Sequence, residues 1–162
     1  MRARYRAAGM VVVALLLVAG LAYASANLQQ WRASYAESHA EACGALKYAA
    51  GRLFTPTADA QRAEACFAHA VPACRAATLN ASVMGVDTGA TDSLIVQPPL
   101  GPFGACQIVL RVSHWGLVPV ANHTETMACR SVALTPESLR VMGCGTLGDI
   151  TLPATQGSPW GS

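Results

Sequence analysis

Residues 106–112 read Cys-Gln-Ile-Val-Leu-Arg-Val, and this stretch decides the fold class. Ile108, Leu110 and Val112 fall at every second position, and Arg111 falls on the opposite side. Successive side chains of a β-strand point to opposite faces of a sheet, so this alternation is typical of a half-buried strand. We therefore expect a sheet that packs one face against a core.

Segments of the same kind lie on both sides of this strand. Turn-forming residues separate them, as in Asp87-Thr-Gly89 and Gly143-Cys-Gly145. Short strands joined by such turns are typical of sheets in which neighbouring strands run antiparallel. The candidate strands cover residues 78–86, 93–97, 106–112, 126–134, 139–144 and 149–152.

The chain before these strands has a helical period instead. Apolar residues recur every three or four positions between Leu28 and Leu53, which predicts one long amphipathic helix. Pro56 interrupts the pattern, and a second helix is expected over Ala58–Val71, where Pro72 follows. Helices first and strands afterwards, without alternation of the two, predict an α+β fold with an N-terminal helical hairpin packed on an antiparallel β-sheet and stabilised by disulfides.

Residues 1–26 have the composition of a signal peptide. Three arginines come first, an apolar run over residues 10–22 follows, and small residues then allow cleavage after Ala24 or Ala26. An uncleaved anchor is the alternative, because residues 7–26 nearly reach the ~20 residues that a bilayer span needs. Export from the cytoplasm is expected in either case, to a secreted, periplasmic or cell-surface location.

The chain beyond this segment is long enough for one domain. We expect a single α+β domain over residues 27–153 and a flexible tail over residues 154–162. A further alternative is a membrane-anchored, pilin-like subunit, in which the apolar leader continues directly into the helix that begins at Leu28. Gly9 fits the processing glycine of such chains, although no glutamate follows it in the apolar run.

The charge of the chain argues against a nucleic-acid partner. The sequence has 11 Lys and Arg against 9 Asp and Glu, and the loss of three leader arginines leaves 8 basic residues. Nucleic-acid surfaces need clustered Lys and Arg. No cofactor is expected, the partner is unknown, and membrane contact is expected only if the N-terminal segment is retained.

The cysteines indicate a disulfide framework, because an even number in an exported chain pairs in the oxidising compartment. Cys43 and Cys66 lie about ten residues before and after the turn of the predicted hairpin, so both sit roughly 15 Å from it and can face each other. Cys106 and Cys129 lie on sequential strands, which leaves Cys74 with Cys144. The six cysteines are Cys43, Cys66, Cys74, Cys106, Cys129 and Cys144.

The same hairpin permits a metal site as an alternative. His39 and Cys43 lie four residues apart on the first helix. Cys66 and His69 lie three residues apart on the second helix. These side chains could converge as a tetrahedral zinc site with two cysteine and two histidine ligands. Because thiols in an exported chain usually oxidise, we expect disulfides and no bound metal.

The most specific short string is Val86–Ile95, Val-Asp-Thr-Gly-Ala-Thr-Asp-Ser-Leu-Ile. It resembles the active-site loop of retropepsin-like aspartic proteases, in which two chains each supply one aspartate and the pair shares a proton. The resemblance implies that Asp87 is the catalytic acid and base and that Thr88 and Gly89 shape its loop. The alternative is an ordinary turn between two strands, in which Gly89 supplies a positive φ.

A looser pattern extends over residues 64–153. Its positions are Cys66-Phe67, Ala70, Cys74, Ala77, Leu79, Gly85-Val-Asp87-Thr88, Cys106, Cys129, Cys144-Gly145, Gly148 and Pro153. This pattern resembles small exported bacterial domains that are rich in cysteine and uncharacterised. The resemblance implies a disulfide framework with Asp87 as a turn residue, and it implies no activity.

A non-enzymatic exported domain that acts in binding or in cell-envelope structure fits these observations best. The sequence contains no Gly-x-Ser-x-Gly, no phosphate-binding loop and no Cys-x-x-Cys. His114 and His123 each lack a partner in the sequence and are interpreted as surface residues. A dimeric aspartic peptidase that uses Asp87 is the enzymatic alternative.

Overall fold

The computed structural model describes residues 2–50, 52–99, 104–116 and 123–153, so the expected tail lies outside the described residues. The chain forms two compact units, residues 1–34 and 35–162. No helix among the described residues is long and apolar enough to cross a membrane. The elements are α1 (Arg2–His39), β1 (Glu41–Ala49), β2 (Arg52–Leu53), α2 (Thr57–Ala70), β3 (Ala77–Met84), β4 (Thr88–Gln97), β5 (Gln107–Gly116), β6 (His123–Cys129), β7 (Ser131–Leu134), β8 (Ser138–Cys144), a short 3₁₀ helix (Gly145–Leu147) and β9 (Gly148–Pro153).

The strands of the second unit form two sheets. The larger sheet has the strand order β2-β1-β3-β4-β5-β6, and the smaller one has the order β7-β8-β9. Among the described residues, all strand pairs are antiparallel except β1 and β3, which are parallel and are connected through α2. The prediction of a disulfide-stabilised α+β fold is confirmed. The larger sheet is mixed and not purely antiparallel as predicted. Two parallel strands need a crossover connection between them, and α2 provides it for β1 and β3.

The prediction of one helix from Leu28 to Leu53 is wrong beyond His39. Helix α1 ends there, and residues 41–49 form strand β1, although the period of the sequence predicted a helix up to Leu53. The second predicted helix is confirmed as α2, Thr57–Ala70. The expected hairpin of two helices is therefore replaced by a strand and a helix.

Two features of β1 explain why it is not helical. Gly44 has a φ of +141°, which favours glycine, and a Cβ at this position would lie 2.9 Å from the Cβ of Ala63 on α2. Leu46 and Tyr48 are both fully buried, and a spacing of two residues places side chains on the same face of a strand. The close approach of α2 and the burial of Tyr48 both require an extended backbone here.

The predicted strands downstream are confirmed in number and order except for one segment, although β4, β5 and β6 extend several residues beyond the predicted bounds. The segment 126–134 is divided between β6 and β7, which belong to different sheets. Arg130 lies between them, and its backbone N–H donates a 2.8 Å hydrogen bond to the carbonyl oxygen of Met142. The chain therefore leaves the larger sheet at this residue and enters the smaller one.

The core lies where one face of the larger sheet, helix α2 and the smaller sheet meet. Phe67 is fully buried on α2, and Leu139 and Leu152 bring the smaller sheet into the same cluster. Apolar burial of this kind is the main favourable term in folding. The fully or almost fully buried members from the larger sheet include Leu46, Tyr48, Ala77, Leu79, Leu94, Val96 and Leu110.

Three disulfides join the six cysteines. The bridge Cys43–Cys66 is confirmed, with a Cα–Cα distance of 5.5 Å, although it connects a strand to a helix. The other two predicted pairings are wrong, because Cys74 pairs with Cys106 and Cys129 pairs with Cys144. Cys129 ends β6 and Cys144 ends β8, so their bridge ties the two sheets together.

Candidate functional site

A groove of about 960 Å³ opens at one end of the larger sheet. It lies where the β3–β4 hairpin meets the end of β5 and the beginning of β6. Its lining is mainly apolar and includes the imidazoles of two histidines. Binding sites for small molecules are usually concave, of this size, and lined mostly by apolar side chains. Apolar side chains in the lining include Val83, Met84, Val86, Val112, Trp115 and Leu147.

Trp115 on β5 packs onto Gly89, its cross-strand partner on β4. A Cβ at Gly89 would overlap the indole ring and would lie 2.7 Å from the carbonyl oxygen of Val83. The expectation that Gly89 supplies a positive φ is wrong, since the positive-φ glycines of the described residues lie elsewhere. Glycine is needed at this position because the indole approaches the backbone closely.

His114 and His123 form a polar part of the groove lining. The two residues are cross-strand partners on β5 and β6, and their ring centroids lie 4.4 Å apart with an angle of 22° between the planes. The Nε2 atom of His123 lies 3.7 Å from the Oε1 atom of Glu125. The strand pairing thus holds two stacked imidazoles, with a carboxylate nearby, at the groove.

Two buried carboxyl groups lie deeper in the second unit. Glu64 on α2 is 1% exposed and Asp92 on β4 is 2% exposed. Within the described residues, Oε1 of Glu64 and both carboxyl oxygens of Asp92 have no hydrogen-bond partner. Burial raises the pKa of each group to about 7. Burial, and then the charge of Glu64, also raise the pKa of Tyr48.

The position of Asp92 relates it to the groove. Asp92 is the cross-strand partner of Val112, which lines the groove, and it lies two residues along β4 from Ala90, which also lines it. Residues two apart on a strand share a face. A carboxyl group for which the described residues provide no hydrogen-bond partner therefore lies one step into the core from the groove wall. Buried carboxyls with raised pKa values at such places are candidates for function.

The loop that resembles a protease active site is a hairpin turn. Asp87 is exposed between β3 and β4, and the backbone N–H of Gly85 donates a 2.8 Å hydrogen bond to the carbonyl oxygen of Thr88. This placement agrees with the interpretation of Asp87 as a turn residue. Thr88 and Gly89 line the groove.

The alternative zinc site is excluded by the disulfide. Cys43 and Cys66 are joined to each other, so neither sulfur is a thiolate that could bind zinc. His39 is exposed and stacks on Tyr35, with 4.2 Å between the ring centroids, and His69 is exposed on α2. No group of three or more His, Cys, Asp or Glu side chains in the described part of the chain has an arrangement that could hold a metal ion.

The sequence alone did not identify the pair of histidines. The predicted strands ended at Val112 and began again at Thr126, so both histidines fell outside them. The observed strands are longer, and their register places His114 opposite His123. The alternation of apolar residues ends at Val112, so the sequence carried no signal for the longer strands, and only the strand pairing shows that the two imidazoles meet.

Comparison of the chain with known protein families, curated proteins and solved structures finds no match. The groove, the paired histidines and the buried carboxyls therefore have to support any functional inference by themselves.

Proposed function

We propose that this protein is an exported, non-enzymatic binding protein whose groove holds a small, mainly apolar molecule. The supporting observation is the groove of about 960 Å³ at the end of the larger sheet, with Trp115, Met84 and seven aliphatic side chains in its lining. Sites for small molecules are mostly apolar with a few polar groups that fix orientation. Here His114 and His123 supply the polar groups.

The apolar rim of the groove is unusual for a surface. Val86 is 99% exposed, and Met84 and Leu147 are 46% and 45% exposed. Exposed apolar side chains that cluster around a concavity often mark a binding site, whereas single ones need no explanation. A bound apolar molecule would remove this surface from water, which is favourable by roughly 25 cal/mol per Å².

A matched pair of leucines tests the groove. Leu147 lines it and is 45% exposed, while Leu134 on β7 is 44% exposed and is not among the lining residues. We expect Leu147→Arg to weaken binding of the neutral probe N-phenyl-1-naphthylamine by about tenfold or more, because a charge beside an apolar ligand must be desolvated. Leu134→Arg should bind like the parent protein.

The measurement is the emission of the probe in a titration of the oxidised full chain. Because the full chain also contains Trp31 and Trp160, the loss of energy transfer to the probe in Trp115→Phe reports whether it binds near Trp115. Saturable one-to-one binding that is lost only in Leu147→Arg supports the groove. Equal binding by both variants, or no saturable binding by the parent protein, would overturn the proposal.

Export is the second part of the proposal. The three disulfides are typical of proteins in oxidising compartments. Leu15, Leu16 and Leu17 of the leader are 64%, 67% and 63% exposed on α1, as an apolar segment that is recognised for export should be. We expect N-terminal sequencing of protein recovered outside the cytoplasm to begin at Ser25 or Asn27. A chain that keeps Met1 would contradict cleavage.

The pilin-like alternative has one observation in its favour. Helix α1 covers both the leader and the residues from Leu28 to His39, as that alternative requires at its beginning. The helix ends well before Leu53, however, because β1 follows. Processing after Gly9 would give an N-terminus at Met10, so the same sequencing experiment separates the two forms.

A further inference from the structure

We propose that His114 and His123 form a two-imidazole site for a divalent transition-metal ion, with Cu²⁺ as the strongest binder. The site bridges β5 and β6 and opens to the groove. It does not depend on the binding of an apolar molecule, because its donors are the two imidazoles alone.

The strand register is the first support for this site. His114 and His123 are direct partners in the antiparallel pair of β5 and β6, so their side chains project from the same face. Both residues are exposed, which leaves their rings accessible to an ion from solvent. The pairing of the two strands fixes the backbone positions from which both side chains extend before any ion arrives.

The ring geometry is the second support. The centroids lie 4.4 Å apart and the planes are within 22° of parallel. A metal ion binds an imidazole nitrogen at about 2.0–2.1 Å, so two nitrogens on one ion are at most about 4.2 Å apart. Because the lone pair of an imidazole nitrogen lies in the plane of its ring, the two exposed side chains must rotate out of the stack to direct one nitrogen each at a shared ion, and the short distance between the rings keeps such an ion within reach of both.

The local charge is the third support. Oε1 of Glu125 lies 3.7 Å from Nε2 of His123, so a carboxylate stands beside the donors. A negative charge close to the site favours a cation. Arg111, also on β5, forms a 2.8 Å ion pair with Glu37, so the charges of these two side chains neutralise each other.

The chemistry of the donors selects the metal. Imidazole suits copper, nickel and zinc, and the affinity of such sites rises along the first-row divalent metals to Cu²⁺. With two protein donors, the other coordination positions are left to water or to a donor atom of a groove ligand. Such open positions distinguish this site from a closed structural one.

The test is a titration of the oxidised full chain with Cu²⁺ alone. Calorimetry measures the affinity and the number of bound ions, and electron paramagnetic resonance measures the coupling to nitrogen. We expect one bound ion and hyperfine coupling to two imidazole nitrogens. His114→Ala and His123→Ala should each weaken binding by about tenfold or more and leave one coupled nitrogen, because a chelating pair loses its second, effectively intramolecular contact.

His69→Ala is the matched control, since His69 is also an exposed histidine but lies on α2. It should bind Cu²⁺ like the parent protein. Both tested histidines are exposed, so their loss should not unfold the chain, and circular dichroism checks this. Unchanged affinity in either single variant, an equal loss in His69→Ala, or coupling to one nitrogen in the parent protein would overturn the proposal. A failure of the apolar probe to bind would not.

Discussion

Reduction of the three disulfides will unfold the β-rich unit of residues 35–162 at neutral pH. The bridges close loops with sequence separations of 23, 32 and 15 residues. Chain-entropy arguments assign each such loop about 3–4 kcal/mol. The sum is about 10 kcal/mol, which is comparable to the whole stability of a typical domain, 5–15 kcal/mol.

Far-UV circular dichroism with and without a thiol reductant measures this effect. Replacement of both cysteines of one bridge by serine separates the contributions. We expect the Cys74/Cys106 variant to lose the most, since its separation of 32 residues is the longest, and the Cys129/Cys144 variant to lose the least. A reduced chain that keeps its cooperative unfolding transition would contradict the prediction.

The pairing itself can be verified by the same preparation, digested with trypsin without reduction. The observed bridges join the peptides 33–47, 63–75 and 76–111 into one product, and the peptides 112–130 and 141–162 into another. The pairing expected from the sequence would instead join 76–111 to 112–130. Mass spectrometry of the two products distinguishes these outcomes directly.

Several elements could be predicted because their signals are local. The alternation in β5 is confirmed by the burial of Ile108, Leu110 and Val112. Helix α2 could be located because Pro56 and Pro72 bound it. The apolar period of residues 28–53 predicted a helix where β1 forms, because several of its positions are alanine, which fits either a helix or a strand. The choice at β1 depends on contacts with α2 and β3, which are distant in the sequence.

The candidate site was less accessible to prediction for the same reason. The string around Asp87 was prominent in the sequence, but the structure places Asp87 on an exposed turn. Asp92, five residues later, has a buried carboxyl group, because β4 places it on the core face as the cross-strand partner of Val112. The register of the strands decides both that Asp92 is buried and that His114 stacks on His123, and this register is not visible in the sequence.

The stability of this unit will fall as the pH rises from about 4 to about 7. Glu64 and Asp92 have ordinary pKa values of 4.5 and 3.8, and burial raises both to about 7 in the folded protein. Between these values the folded state binds protons that the unfolded state has released. The free energy of unfolding therefore decreases with pH in this window, is highest below about pH 4, and is level above about pH 7 with respect to these groups.

The size of the effect follows from the shifts. One pKa unit corresponds to 1.36 kcal/mol, so each group accounts for about 3–4 kcal/mol across the window. Asp92→Asn and Glu64→Gln remove the ionisation but keep the shape of the side chain. Each variant should therefore lose about half of the pH dependence and should gain stability relative to the parent protein at pH 8 more than at pH 4.

Urea unfolding followed by fluorescence from pH 4 to pH 8 measures the slope, and Asp87→Asn is the matched control. Asp87 is an exposed aspartate on the turn before the same strand, so its replacement should leave the slope unchanged. If Asp92→Asn kept the pH dependence of the parent protein, the carboxyl of Asp92 would have to be ionised and stabilised in the fold. That result would require a bound cation or a water network at the position where the described residues provide no hydrogen-bond partner.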